Sequence, residues 1–220
     1  MVFSIVLLLT SVPLLAQKEY YTGALAGIST LSADGQSAVT ASNAIASSYK
    51  PENGPSLNIF GGIHLNDFLS FQANYSGNRN ELSLSSVRSS GAAFEQKRES
   101  SQQSLAADVA LYFRNRRSRV RPYLSVGLGA TRFKSTSVQP ATIFGAFDLP
   151  PREFHSTSGV FRTAVGIDVG MGRGWAFRYC FLEAIQPNPI SKQLAPPGER
   201  RMANFQSLFG FAKTFQRTVR

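Results

Sequence analysis

Polar and apolar residues alternate with a period of two along eight stretches of the chain: Glu19–Leu31, Pro55–Asn66, Phe68–Tyr75, Ser104–Arg114, Pro122–Lys134, Gly159–Met171, Trp175–Ala184 and Met202–Phe215. Successive side chains of a β-strand leave on opposite faces, so each stretch predicts a strand with one oily face. The pattern is clearest in Pro122–Lys134, where Leu124, Val126, Leu128 and Ala130 share one phase and Tyr123, Ser125, Gly127, Gly129 and Thr131 the other. Gly159–Met171 repeats it, with Phe161, Val165, Ile167, Val169 and Met171 against Arg162, Ala164, Gly166, Asp168 and Gly170. In Phe68–Tyr75, Leu69, Phe71, Ala73 and Tyr75 oppose Phe68, Ser70, Gln72 and Asn74, and Trp175–Ala184 sets Trp175, Phe177, Tyr179 and Phe181 against Ala176, Arg178, Cys180 and Leu182. Glu183 then falls in the oily phase, which predicts a bulge or the strand's end. Glu19–Leu31 leaves its phase open, with Gly and Ala in both.

The connectors between these stretches alternate long and short. A soluble sheet has no reason to gather its long loops at one end, whereas a barrel crossing an outer membrane has short turns on one side and long loops on the other. The bulky face suits lipid, and the opposite face of Gly, Ala and Ser with scattered Asn, Gln, Asp and Arg suits a lumen just wide enough for packed side chains. The reading is therefore all-β, an eight-stranded antiparallel up-and-down transmembrane β-barrel. A soluble lipocalin-like barrel is the alternative, and it needs the reverse arrangement, oily inside and polar outside. Tyr20, Tyr21, Tyr75, Phe113, Phe133, Trp175 and Phe215, near strand ends, are expected to form two interfacial girdles.

Residues 1–16 change the picture of location. Val2–Ala16 is the one continuous apolar run, of a length that fits a signal-peptide core and not a membrane helix. It predicts an exported chain, with residues 17–220 as the barrel domain. The mean hydropathy of -0.10 is no objection, since half of each barrel strand faces a polar interior.

The net charge is +10, and Arg116, Arg117, Arg119 and Arg121 crowd one connector while Arg217 and Arg220 end the chain. Such a connector is either a solvated turn or a contact for anionic lipid or a periplasmic polymer; an export signal argues against nucleic acid. Cys180 is the single cysteine, so no internal disulfide or CxxC motif can form, and it reads as a small packing residue. With two histidines and one cysteine, and with no HExxH, phosphate-cradling glycine loop, nucleophile elbow or acidic calcium loop, no metal, cofactor or catalytic residues are expected.

The short turns Asn66-Asp67 and Gly172-Arg173-Gly174, the segment Arg121–Ala130 (RPYLSVGLGA) and the terminal Asn204–Phe215 (NFQSLFGFAKTF) together resemble the small outer-membrane barrels of the OmpA, OmpX and opacity-protein type. The resemblance implies that Phe205, Phe209, Phe211 and Phe215 form the terminal signal read by the barrel-assembly machinery, and that outer-membrane lipid and lipopolysaccharide surround the wall. It also implies that both termini and the turns at Asn66-Asp67, Arg114–Arg121 and Gly172–Gly174 face the periplasm. Ser32–Gly54, Ser76–Gln103, Ser135–Ser158 and Ile185–Arg201 are then the outer loops, possible contacts for an extracellular ligand, with Leu82–Val87 able to extend a hairpin above the membrane.

Inside the lumen the pattern places His64, Gln72, Asp108, Arg162, Asp168 and Arg178. Unpaired, each buried charge costs several kcal/mol, so these residues are expected to pair into a polar network that plugs the barrel. The plug gives a structural or surface-interaction role. A small gated pore lined by the same residues is the competing reading, and a lipid A-modifying enzyme is a third, resting on His155-Ser156-Thr157-Ser158, where a His beside a Ser could activate a nucleophile.

Overall fold

The computed structural model describes residues 19–32, 46–51, 53–87, 91–145, 151–189 and 201–215. The predicted leader at residues 1–16, Arg217 and Arg220, and much of the loops predicted at Ser32–Gly54 and Ile185–Arg201 lie outside the described residues. The described residues form ten strands in chain order: β1 (Glu19–Ser32), β2 (Ala46–Pro51), β3 (Gly54–His64), β4 (Leu69–Val87), β5 (Ala93–Tyr112), β6 (Val120–Ser137), β7 (Thr142–Phe144), β8 (Glu153–Gly172), β9 (Trp175–Pro187) and β10 (Arg201–Phe215). Eight of them close a ring in the order β1-β3-β4-β5-β6-β8-β9-β10, with β10 returning to β1; β2 and β7 add to the outer parts of β4 and β5.

The pairings fix the barrel's geometry. A walk across the ladders from Tyr21 passes Gly62, Gln72, Asp108, Gly127, Arg162, Ala184 and Asn204 and returns to β1 at Leu31, ten residues further along. That stagger over eight strands gives the strand tilt of roughly 35–45° common to closed barrels, and a lumen that side chains can fill.

The two faces divide as the alternation predicts. Leu105, Leu128, Val126, Val165, Phe209 and Phe211 are between 49% and 68% exposed on the outer wall, a continuous apolar belt that water would not tolerate but lipid would. Asn58, Asn74, Asp108, Arg162, Asp168 and Arg178 are between 2% and 6% exposed inside it. β1 resolves its ambiguous phase, with Tyr21, Leu25 and Leu31 inward and Tyr20 and Ile28 outward. Of the expected girdle, Tyr20, Tyr75, Phe113, Trp175 and Phe215 face out, but Tyr21 and Phe133 are buried in the lumen, because parity along a strand decides direction and nearness to a strand end does not. Phe68 is exposed in the turn before β4 instead of pointing inward.

The predicted loops need the larger correction. Ser76–Gln103 is mostly strand, since β4 runs to Val87 and β5 starts at Ala93, while in Ser135–Ser158 β6 runs to Ser137 and β8 starts at Glu153. A tilted crossing needs about 9–11 residues, whereas β4 has 19 and β5 and β8 have 20 each, so the sheet stands well clear of the apolar belt. Beyond the belt the polarity inverts: Leu82, Leu84, Phe94, Phe133 and Met202 form an inward core, while Arg79 and Glu81 point outward. β9 also continues past Glu183 to Pro187 without a bulge there, leaving that carboxylate on the outer face opposite Phe205 and Thr163.

Turn chemistry supports the short end. Asn66 Oδ1 accepts hydrogen bonds from the Phe68 and Leu69 amides, both at 2.8 Å, closing the first turn. Gly172, Arg173 and Gly174 all have positive φ, a run that glycine makes possible between β8 and β9.

Inward aromatics lie across glycines of the neighbouring strand, which lets a narrow ring close around large side chains. Tyr21 faces Gly62 and Tyr123 faces Gly166, and a Cβ on Gly166 would stand 2.4 Å from Tyr123 Cζ. Gly166→Ala is expected to destabilise the barrel by about 1–3 kcal/mol through displacement of that ring, measured by urea unfolding in lipid vesicles. Gly159→Ala, whose Cβ would meet only Gly129 O at 4.0 Å, is expected to stay within about 0.5 kcal/mol; equal losses from the two would contradict the argument.

Candidate functional site

The interior residues predicted from the sequence are brought together. Asp168 and Arg178 sit opposite each other on β8 and β9, so a single register places their side chains side by side in the lumen. Arg178 Nε donates to Asp168 Oδ1 at 2.6 Å and Nη2 to Oδ2 at 2.7 Å, the two-pronged contact that suits a guanidinium and a carboxylate. Tyr112 OH accepts from Arg178 Nη2 at 2.8 Å and donates to Asp168 Oδ2 at 3.2 Å.

From this pair the network crosses the lumen. Arg178 Nη1 donates to Gln72 Oε1 at 2.9 Å, Gln72 Nε2 to Asn74 Oδ1 at 2.7 Å, and Asn74 Nδ2 to Asp108 Oδ2 at 2.9 Å. Asp108 then pairs with Arg162 at 3.6 Å. His64 joins through Tyr21, whose ring it stacks on with centroids 4.5 Å apart and whose hydroxyl donates to Gln72 Oε1 at 3.2 Å; its Nδ1 also meets Ser70 Oγ. All six predicted residues thus belong to one assembly of side chains.

Sequence reasoning missed the residues that join and enclose them. Asn74 is the bridge between the two ion pairs, and Phe60, Tyr123 and Tyr21 surround the Arg178 guanidinium at 4.6, 5.0 and 5.7 Å from its Cζ. Cation–π contact of this kind partly replaces lost hydration. Inward parity was the available signal for Asn74 and Phe60, which share a phase with Gln72 and His64, and for Tyr123, which shares one with Ser125 and Thr131; Tyr21 lies on β1, whose phase the sequence leaves open.

The two ion pairs differ. Arg178 and Asp168 satisfy each other, whereas Asp108 Oδ1, Arg162 Nε and Nη1 and Asn58 Oδ1 are buried with no hydrogen-bond partner among the described residues. A cavity of about 20 Å³ lies among these groups, room for about one water molecule.

Towards the long-strand end, a second polar layer spans the ring. Ser29 Oγ donates to Asn204 Oδ1 at 2.7 Å, Asn204 Nδ2 to Gln102 Oε1 at 2.9 Å and Asn78 Nδ2 to Asn80 Oδ1 at 2.7 Å. Above it stands the apolar core of Leu31, Leu82, Leu84, Phe94, Phe133 and Met202, into which Arg98 is buried. Arg98 bonds to Gln96 and Ser135 and lies 4.8 Å from the Phe154 ring centroid.

His155 and Ser156 are consecutive in β8 and leave on opposite faces, so that hydroxyl cannot reach that imidazole, and His155 pairs in register with Lys134. Cys180 is buried inside, as a packing residue would be. Among the described residues no group of His, Cys, Asp and Glu is arranged to hold a metal ion.

Comparison with known proteins agrees with this geometry. A family model described as an outer membrane protein beta-barrel domain matches residues 2–185. Among solved structures the chain is similar to Neisserial surface protein A, at 15% identity over 89% of this chain and 97% of that one, with a TM-score of 0.54. It also aligns with Ail, the attachment invasion locus protein of Yersinia pestis, at 11% identity over 91% and 99% of the two chains and a TM-score of 0.49. Identities this low speak to fold alone. None of the curated proteins matches the chain.

Removing one partner of the central ion pair leaves an uncompensated buried charge, so Asp168→Ala is expected to cost about 3–5 kcal/mol in unfolding free energy in lipid vesicles. The double change Asp168→Leu with Arg178→Met is expected to cost less than Asp168→Ala alone. A double variant as unstable as the sum of its parts would show that the two residues act independently.

Proposed function

The chain belongs to the outer membrane protein beta-barrel domain family, and from that premise we propose that it is a closed, non-conducting barrel whose long-strand end is a recognition surface outside the cell. Its place is the outer membrane of a Gram-negative-type bacterium, reached in this reading through export by residues 1–16. The observation that carries the proposal is the stack of side chains across the lumen: the ion-pair assembly of Arg178 and Asp168, the amide layer around Asn204, and the apolar core above it. A water path would have to breach all three. In this reading both termini and the turns face the periplasm, and the four long strands β4, β5, β6 and β8, flanked by β2 and β7, project outward.

The same reading gives the wall its partners. Phe209, Phe211 and Phe215 form an exposed row on β10, and Phe205 stacks on Phe181 in the same phase; these four serve as the signal for the barrel-assembly machinery. Immediately beyond the apolar belt, the outward positions carry Arg79, Arg132, Lys134 and Arg201, with Glu81, Glu99 and Glu153 in the polar outer zone. Lys134 holds Glu153 at 2.8 Å. Cations next to the belt suit the phosphates of lipopolysaccharide, with each near-surface basic residue worth roughly 1 kcal/mol.

Purified protein in planar bilayers is expected to give no stable open currents, and long-lived single-channel openings would favour the gated pore. The double variant Arg79→Gln with Arg132→Gln is expected to retain fewer copurified lipopolysaccharide molecules by native mass spectrometry than the parent does, while keeping its heat-modifiable gel shift. Unchanged retention would separate those arginines from lipid binding.

A further inference from the structure

The ring of strand ends at the short-turn end surrounds a vestibule of about 350 Å³ that the interior network bounds on one side. Its floor is formed by Tyr21, Asp168 and Arg178, and its wall by Arg117, Arg119 and Arg121 from the turn before and the start of β6. That turn is held in shape: the Ser118 amide donates to both Asn115 O and Asn115 Oδ1 at 3.1 Å, and the Gly170 amide ties Arg119 O to β8 at 2.6 Å. The arginines are therefore presented by a braced segment.

The nearby carboxylates are already engaged. Arg116 pairs with Glu19 at 3.3 Å and Asp67 at 2.9 Å, and Asp168 is held by Arg178. Arg117 and Arg119 are exposed and pair with no carboxylate among the described residues. Arg121 is 9% exposed, with its guanidinium 3.9 Å from the Tyr112 ring centroid and Nη2 donating to Asp67 O at 3.2 Å. Its Nε is buried with no hydrogen-bond partner among the described residues. Asp168 lies opposite Arg121 in the β6–β8 register but is held by Arg178, so two guanidiniums share one carboxylate, and an arriving oxyanion would add the second negative charge.

We propose that this vestibule is a binding site for a carboxylate-bearing peptide of the periplasmic cell-wall polymer, gripped by Arg117, Arg119 and Arg121. Guanidinium groups bind carboxylates through paired hydrogen bonds, and a space of this size admits the end of a short peptide but not a folded domain. The vestibule opens inside the ring of strand ends, so a phospholipid with its tails in the leaflet would have to carry its headgroup over the barrel rim. The site rests on the orientation proposed above, but binding by the purified protein does not depend on orientation and is tested separately from it.

The full chain in neutral detergent is titrated with a soluble muropeptide that carries free carboxylates, and in parallel with its amidated form, with inorganic phosphate and with phosphatidylglycerol nanodiscs. The expected result is saturable muropeptide binding that weakens with salt, falls at least tenfold on amidation, and falls at least tenfold in the double variant Arg117→Gln with Arg119→Gln. Both residues are exposed, and a retained heat-modifiable gel shift confirms that the variant is folded; Arg121→Gln provides a second variant with the same expectation. No muropeptide binding, equal binding by the folded variants, equal binding of the amidated form, equal or tighter binding of inorganic phosphate, or binding confined to the phosphatidylglycerol nanodiscs would each overturn the proposal.

Discussion

Inside a bilayer no water is available to satisfy a backbone amide or carbonyl, and that constraint governs the rest of this structure. It is met here by the pairing of β10 with β1, which turns a sheet with two raw edges into a ring with none. Closure with eight strands then limits what the middle can hold. Large inward rings fit because glycine sits opposite them, as with Tyr21 on Gly62 and Tyr123 on Gly166. The Arg178 guanidinium fits because these rings and Phe60 pack around it while Asp168 neutralises it.

The wall follows two solvent rules along one strand. Within the belt, β4 turns Phe71 and Tyr75 outward and Ser70 and Asn74 inward; further along it turns Arg79 and Glu81 outward and Leu82 and Leu84 inward. The strand's period never changes, but the meaning of each face does, because lipid gives way to water outside. The interior consequently changes from a polar network to an apolar core at the long-strand end. A protein of this kind is a membrane barrel continued by a soluble one, built from the same strands.

That reversal explains which parts of the fold were legible in the sequence. The eight crossings could be read because an oily outer face alternates with small or polar residues, and the inward phase of His64, Gln72, Asp108, Arg162, Asp168 and Arg178 was sufficient to bring them into one lumen. An oily outer face stops where lipid stops, so the pattern predicts loop over Ser76–Gln103 although Leu82, Leu84 and Phe94 keep the alternation in the opposite sense. Nearness to a strand end suggests a girdle for Phe133, but its parity with Thr131 and Ser135 puts it inside. The alternation turns Asn74 inward, but that it bridges two ion pairs depends on the stagger between β4 and β5, which no local pattern encodes.

An ion pair in the middle of such a barrel needs a reason, because replacing a buried pair by apolar groups of similar volume is often neutral or stabilising. Register supplies one. Side chains alternate with a strict period of two, so a slip of β9 by one residue would turn Arg178 towards lipid and Phe177 and Tyr179 into the lumen. An arginine facing lipid carries a cost that rises from about 0–1 kcal/mol near the interface to about 2–4 kcal/mol at the midplane, and the slip would also strand Asp168 on β8 without its partner. A purely apolar lumen would impose a much weaker penalty on the same slip, since Phe and Leu are tolerated on both faces. The Arg178–Asp168 pair, tied through Gln72 and Asn74 on β4 to Asp108 on β5, therefore opposes misregistration on four strands at once. What it gives up in raw stability it returns as a single permitted alignment of the ring.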